Sequence, residues 1–428
     1  MQNYLFRKRL VTTIGVRRDA IDTFGPRSVR DATTQMWRFA TAADQPVFTP
    51  SGRNWFEDHK ETGYRRSFGA VFHLTNHFSL TANASDGIEL PARNRSVLPY
   101  ERVPDPFKGE GRDYGVNFSF LENKISGAVR YFESSTLREN TNEVVQTVFG
   151  NPNNDVMTSF DTYFRQAGLT DLGSGAPIGS LDELRTTYFS EADSYLSDRV
   201  STGYEFELTA NPNRNWSIRF GYANTDRTRT NVLNEGGPWW AERVSLWQAL
   251  DTLYTTRTGR PSIFTQSLID ASNAVTNRTV AERIADSDRE LNDVRLEEEQ
   301  GYGNRRHKVN LWTRYAFATG KLRGAAIGGG YRYQSKNIAG FDTATQRVLY
   351  GNPRSLFDVF LQYRTKSLFG RPLDRMSLTY QLNMTNVLDD QTITITKRLV
   401  DTVTGVPYIR RAFREEPRTT TLTVRLDF

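Results

Sequence analysis

Cysteine is absent from all 428 residues, which excludes disulfides, thiolate metal sites and cysteine nucleophiles. Histidine is scarce. Of His59, His73, His77 and His307, only His73 and His77 are close, and they straddle a predicted turn rather than share a helical face. No G-x-S-x-G, H-E-x-x-H or P-loop pattern occurs. Asp286-Ser287-Asp288 lacks the glycine and distal glutamate of a calcium loop and reads as a solvated helix. The expectation is therefore a chain that is no enzyme and holds no metal or cofactor. Apolar residues make up only 37%, with a mean hydropathy of −0.59. No run of about 18 apolar residues exists, which excludes a transmembrane helix. It does not exclude membrane-crossing strands, where only alternate residues meet lipid. Met1 to Arg9 lack the apolar segment and small-residue cleavage site of an export signal, so an exported chain of this kind is expected to have lost its front end. The net charge is +6, but 55 basic residues are interleaved with 49 acidic ones and cluster on no element. A nucleic-acid partner is therefore not expected.

What is present is alternation. Leu422, Val424, Leu426 and Phe428 share one face of the last segment, and Thr421, Thr423, Arg425 and Asp427 share the other. An apolar stripe ending on an aromatic fits the last strand of a bacterial outer-membrane barrel. The same period recurs from Leu10 to Val16, Phe68 to Leu74, Phe78 to Ala84, Tyr114 to Phe120, Ile125 to Tyr131, Tyr204 to Ala210, and Trp216 to Tyr222. It continues from Val309 to Phe317, Ile327 to Tyr333, Phe357 to Tyr363 and Met376 to Met384. With the terminal segment this makes about twelve strands, each roughly ten residues long, enough to cross a bilayer with tilt. Short connections near 75–78, 121–124, 211–215, 317–321 and 365–374 alternate with long ones near 20–63, 86–111, 135–199, 228–304, 334–354 and 387–417. Short turns on one side and long loops on the other are the asymmetry of outer-membrane barrels. Aromatics reach 12%, which suits girdles at two membrane interfaces.

Phe118, Phe206, Phe220, Leu361, Leu378 and Leu426 are expected to face lipid. The two longest loops are expected to carry structure of their own. Trp240, Val244, Trp247, Leu250 and Tyr254 recur at helical spacing, and 281–299 is a charged helix-forming stretch.

Several stretches resemble the TonB-dependent outer-membrane receptors. Arg9-Leu10-Val11-Thr12-Thr13-Ile14-Gly15-Val16-Arg17-Arg18-Asp19 is similar to a family strand of the form L-x-x-x-x-G-x-R-x-D. Asp113-Tyr114-Gly115-Val116-Asn117-Phe118 with Lys124 to Phe132 resembles a family hairpin, with Gly115 where the family has Glu. Asn383-Met384-Thr385-Asn386-Val387-Leu388-Asp389-Asp390 resembles the N-x-x-N-L-F-D segment before the last strand, and Leu426-Asp427-Phe428 the terminal aromatic. The resemblance implies that residues 1–428 are the second half of a barrel of about 22 strands, with the plug domain and early strands absent. It implies a place in the cell outer membrane of a Gram-negative-type bacterium, among outer-membrane lipid. It also implies dealings with the insertion machinery and, through the missing plug, with the TonB energy-coupling system.

The fold expected is thus all-β: an antiparallel up-and-down transmembrane β-barrel with long, partly helical extracellular loops. The function expected is receptor and transporter work in uptake of a chelate, a sugar or a similar substrate. Leu422, Val424, Leu426 and Phe428 are the candidate assembly signal. Arg130, Glu205 and Glu207 on polar faces, with Trp239, Trp240 and Trp247 in a long loop, are the candidate substrate contacts. Arg219, Asp358 and Arg364 share those polar faces, and Trp37 and Trp55 lie in another long loop. Three rivals stand beside this reading: a complete twelve-stranded pore or translocator, an outer-membrane hydrolase, and a soluble carbohydrate-binding β-protein.

Overall fold

A computed structural model describes residues 1–26, 28–30, 37–39, 56–89, 107–141, 145–190, 194–368, 371–372, 376–401 and 404–427. Thirteen strands form one sheet. They are β1 (Gln2–Leu5), β2 (Leu10–Pro26), β3 (Phe56–His73), β4 (Phe78–Glu89), β5 (Phe107–Phe120), β6 (Ile125–Thr141) and β7 (Tyr195–Asn213). They continue with β8 (Trp216–Thr230), β9 (His307–Ala316), β10 (Ala325–Gln334), β11 (Arg354–Thr365), β12 (Ser377–Thr385) and β13 (Thr419–Asp427). Each strand pairs antiparallel with its neighbours in the chain, as an up-and-down meander. The twelve segments read from the sequence are all present and in order. The thirteenth strand is β1, whose four residues are too few to display a period of two.

Among the described residues β1 and β13 pair with nothing on their outer sides, so the sheet is open along both. Turns at 6–9, 74–77, 121–124 and 214–215 lie at one end of the strands, and the long connections lie at the other. Within the long connections are α1 (Asn151–Gln166), α2 (Leu181–Thr186), α3 (Gly236–Thr258) and α4 (Val280–Glu299). α3 and α4 answer the two helical patterns of the sequence. α4 opens on a capping box, in which Thr279 and Glu282 bond each other's backbone N–H groups. α1 is a helix the sequence pattern did not announce.

The two faces of the sheet differ. Val16, Phe68, Tyr114, Val129, Leu311, Leu361 and Val424 are all exposed on one face. The chain exposes 25968 Å², against about 17,000 Å² for a compact monomer of its mass. Soluble monomers rarely leave contiguous apolar patches larger than a few hundred Å².

Leu361 and Leu426 stand open as expected, but Phe118, Phe206 and Phe220 are only half-exposed. The Phe118 ring lies over Gly127 and stacks on Phe206, with centroids 6.4 Å apart; Phe206 meets Phe220 at 5.8 Å. Leu378 departs further, at 8% exposed. It is flanked in register by Thr365 and Leu426, and a small hairpin of Ser367–Leu368 and Arg371–Pro372 folds beside β12. Alternation gives the face a residue shares, not what covers it.

Candidate functional site

The opposite face of the sheet is polar because the alternate positions are polar. Register aligns Thr81, Gly115, Arg130 and Glu205 across β4 to β7, and Glu207, Gly221, Asn310 and Arg332 across β7 to β10. Among the hollows on this wall, two hold the candidate residues. One, of about 430 Å³, is lined by Thr81, Asn83, Asp113, Arg130, Phe132 and Glu205. The other, of about 590 Å³, has Glu207, Arg219, Asn310, Trp312, Arg332 and Asp358 among its lining residues. An added Cβ at Gly221 would meet nothing within 4 Å, which is why the second hollow exists there.

The wall is cross-linked by charge. Arg130 reaches Glu207 at 3.8 Å, and Asn83 donates to Asp113 at 2.8 Å. Arg332 grips Asp358 with two hydrogen bonds of 3.0 and 3.1 Å, and Asp358 also accepts the Asn386 N–H at 3.0 Å. One carboxylate thereby ties β10 to the start of the last long loop. Arg364 donates to Ser377 at 2.8 Å and lies 3.8 Å from Asp427. Trp312 stacks on Phe360 with centroids 5.3 Å apart and planes 12° apart. Their register partners are Gly330 and Gly328, so the two rings lie over glycines of β10. This aromatic pair escaped the sequence reading; the G-G-G run Gly328–Gly330 in a strand was the available signal.

At the loop end a bulge between Thr136 and Glu139, with Arg138 at a φ of 60°, resets the alternation of β6. Glu139 then meets Arg199 at 2.9 Å and Arg229 at 3.4 Å. Arg229 also reaches Glu298 of α4 at 3.2 Å. Above this sits a cap built by residues 145–190 and 231–299. Its core includes Phe149, Met157, Phe160 and Phe164 from the first loop, and Trp240, Trp247, Leu250 and Tyr254 from the second. Asp155 of α1 pairs with Arg283 of α4 at 3.2 Å; burial still holds its carboxyl above the ordinary range, against the pull of the Ala271 N–H and Arg283.

The structure brings Arg130, Glu205 and Glu207 together on adjacent strands, through the register of β6 on β7. Trp239, Trp240 and Trp247 instead pack inside the cap, at 5%, 3% and 0% exposed. Trp240 donates its indole N–H to Asp288 at 2.7 Å, and Trp247 donates to the Met157 sulfur at 3.4 Å. These side chains hold helices together and offer no face to a ligand here. The reason lies in Phe149 and Met157, partners from a different loop that spacing within 236–258 could not reveal. Leu422, Val424 and Leu426 form an exposed stripe on the open edge strand β13. Phe428, Trp55 and the side chain of Trp37 lie outside the described residues.

His73 bonds Ser79 at 2.8 Å, His77 bonds the Ser119 carbonyl at 2.9 Å, and His307 bonds the Tyr222 hydroxyl at 3.0 Å. Among the described residues no group of three His, Asp or Glu side chains could hold a metal. Nor is any helix long and apolar enough to cross a membrane.

An antiparallel meander with one apolar face, one polar face, short turns at one end and structured loops at the other has the architecture of an outer-membrane β-barrel. Solved structures carry the comparison further. The pyoverdine outer-membrane receptor FpvA of Pseudomonas aeruginosa, bound to pyoverdine, is similar with a TM-score of 0.50 at 14% identity, over 100% of this chain and 41% of that one. The ferric-catecholate import receptor Fiu of E. coli has a TM-score of 0.48 at 15% identity, over 99% and 43%. The siderophore receptor PiuA of Acinetobacter baumannii has 0.48 at 12%, over 97% and 40%. No protein-family model and no curated protein sequence matches the chain. The fold is the outer-membrane barrel fold of the pyoverdine receptor, and the chain spans about two fifths of the length of the solved receptors it matches.

Proposed function

We propose that the chain is the C-terminal barrel portion of an outer-membrane receptor that takes up a chelate, a sugar or a similar solute with TonB-derived energy. The observation that carries this reading is the sheet itself: an uncovered apolar face backed by a charged wall, under a folded loop cap. In a bilayer the apolar face meets lipid, and backbone groups must be satisfied by closure. The open edges at β1 and β13 call for further strands, which favours a larger barrel over a self-sufficient twelve- or thirteen-stranded pore. The wall carries charge-paired side chains, which suits contact and passage. Arg130, Glu205 and Glu207 would meet the substrate or a plug domain filling the lumen. Coupling to TonB would run through that plug. Leu422, Val424, Leu426 and Phe428 would be read by the insertion machinery during assembly.

The test is uptake in cells carrying a receptor-length chain with this barrel. Arg130→Ala combined with Glu207→Ala should slow TonB-dependent uptake while surface levels stay constant. Uptake that continues unchanged without TonB would sink the transporter reading.

A further inference from the structure

The net charge of +6 is concentrated at one end of the strands. There the turn at 6–9 carries Arg7, Lys8 and Arg9, Lys124 closes the turn at 121–124, and Arg214 stands in the turn at 214–215. The connection from β9 to β10 carries Lys321 and Arg323, and that from β11 to β12 carries Lys366 and Arg371. All of these side chains are exposed. Among the described residues of these short connections Glu122 is the one carboxylate. Without the turns, the chain's 55 basic and 49 acidic residues would leave a slightly negative balance. No single segment displays the cluster; strand pairing assembles it.

Backbone hydrogen bonds join the turns into one rim. The His73 N–H donates to the Arg9 carbonyl at 2.8 Å, the Ser119 N–H to His77 at 2.9 Å, and the Asn211 N–H to Lys124 at 2.7 Å. The Ala316 N–H donates to the Asn215 carbonyl at 2.8 Å, and the Arg364 N–H to Gly324 at 2.8 Å. On the wall above, Arg130 has Glu207 and Arg332 has Asp358. Among the described residues no carboxylate pairs with any cation of the rim. Arg7 and Lys8 hold φ at 57° and 68°, a left-handed backbone that Gly or Asn adopts at lower cost. Cations occupy those positions in spite of the conformation.

Like charges held side by side repel, and an anionic surface relieves the repulsion. The apolar face shows which surface lies at this height. Phe72, Phe78, Trp216, Tyr315 and Tyr363 are exposed beside the turns. An aromatic belt of this kind marks a membrane interface. At about 3.4 Å per residue, the cations just beyond it lie within a Debye length, about 8 Å, of the lipid headgroups. A phosphodiester headgroup offers oxygens that a guanidinium contacts two at a time.

We propose that the rim binds anionic phospholipid headgroups and gathers them around the short-turn end of the barrel. This rests on the outer-membrane reading above, in which the short turns meet the periplasmic leaflet, and not on uptake.

The test places a receptor-length chain with this barrel in phosphatidylcholine bilayers holding a trace of spin-labelled phosphatidylglycerol or, separately, spin-labelled phosphatidylcholine. The immobilised fraction of each label gives their relative association with the protein. The parent should favour phosphatidylglycerol by at least about threefold, and rising salt should erase the preference. Arg7→Gln, Lys8→Gln, Arg9→Gln, Lys321→Gln and Arg323→Gln combined should bring the ratio close to one. Arg7→Lys, Lys8→Arg, Arg9→Lys, Lys321→Arg and Arg323→Lys combined should keep it. Arg260→Gln, Arg410→Gln and Arg411→Gln combined, exposed at the loop end, should leave it unchanged. Heat-modifiable migration shows that each variant is folded. Equal association of both lipids with the parent would overturn the proposal, and so would a ratio that the five glutamines do not lower. Peptidoglycan binding that the glutamines abolish, without any lipid preference, would overturn it in favour of the cell-wall polymer. No immobilised lipid of either kind would overturn the membrane reading and this proposal with it. Loss of uptake with the lipid ratio intact would count against the transport reading alone.

Discussion

Two glycines on the charged wall have opposite environments and should respond oppositely to substitution. An added Cβ at Gly328 would run into the Phe360 ring and the Thr313 carbonyl. Gly328→Ala should therefore cost about 1–3 kcal/mol, read as a lower temperature for loss of heat-modifiable migration. Gly221→Ala points into open space and should stay within about 0.5 kcal/mol of the parent. At this scale the sequence was only partly legible. Period-two alternation placed Arg130, Glu205, Glu207, Arg219, Asp358 and Arg364 on one polar face. It could not say that Arg332 would take Asp358, or that Trp312 would lie flat over Gly330. Those pairings depend on register between strands, which no single segment encodes.

The secondary elements divide into strands that depend on a bilayer and a cap that does not. Trp247 is fully buried between α1 and α3, so Trp247→Ala should remove about 3–5 kcal/mol from the cap. Limited proteolysis should then cut within 231–300 sooner, while the strands keep their heat-modifiable migration. α4 adds a pH dependence. Burial raises the carboxyls of Glu290, Asp293 and Glu297 above their ordinary values. Glu290 faces Arg283, Arg278, Asp286 and Asp293; Asp293 faces Thr343, Lys397 and Arg289; Glu297 faces Lys397, Asp293 and the Phe341 N–H. A carboxyl raised on docking binds its proton more tightly in the docked state. Docking of α4 is therefore strongest below the raised values and weakens as pH rises through them. Asp270 and Asp342 are lowered by hydrogen bonds to Ser272 and Thr345, so their contributions are lost at more acid pH. α3 and α4 were visible in the sequence because their periodicity is self-contained. α1 was hidden because Asn151-Pro152-Asn153-Asn154 are weak helix formers, although Pro152 is itself a helix-start signal. Its apolar positions acquire meaning only against α3 and α4.

For the whole molecule, the order of twelve strands and the alternation of short and long connections were legible. Each hairpin is a local unit, and the period of two needs no partner to be read. The open edges were expected only through the family resemblance, which implies a larger barrel with its early strands absent; the alternation of any one segment does not announce them. Phe428→Asp in a receptor-length chain should lower outer-membrane levels by slowing assembly. Its direct cost near the interface is only about 0–1 kcal/mol, too little to unfold an inserted barrel. Quantitative blotting of outer membranes checks this, and equal levels and insertion rates would remove Phe428 from the assembly signal.

The central claim is that one face of this sheet meets lipid and the other meets water. Single cysteines along β11 at Val359, Phe360, Leu361 and Gln362, each carrying a spin label in a membrane-inserted chain, test it most directly. Val359 and Leu361 should collide with oxygen dissolved in lipid, and Phe360 and Gln362 with a water-soluble relaxation agent, alternating residue by residue. A run without alternation, or with all four positions equally accessible to the water-soluble agent, would contradict the account.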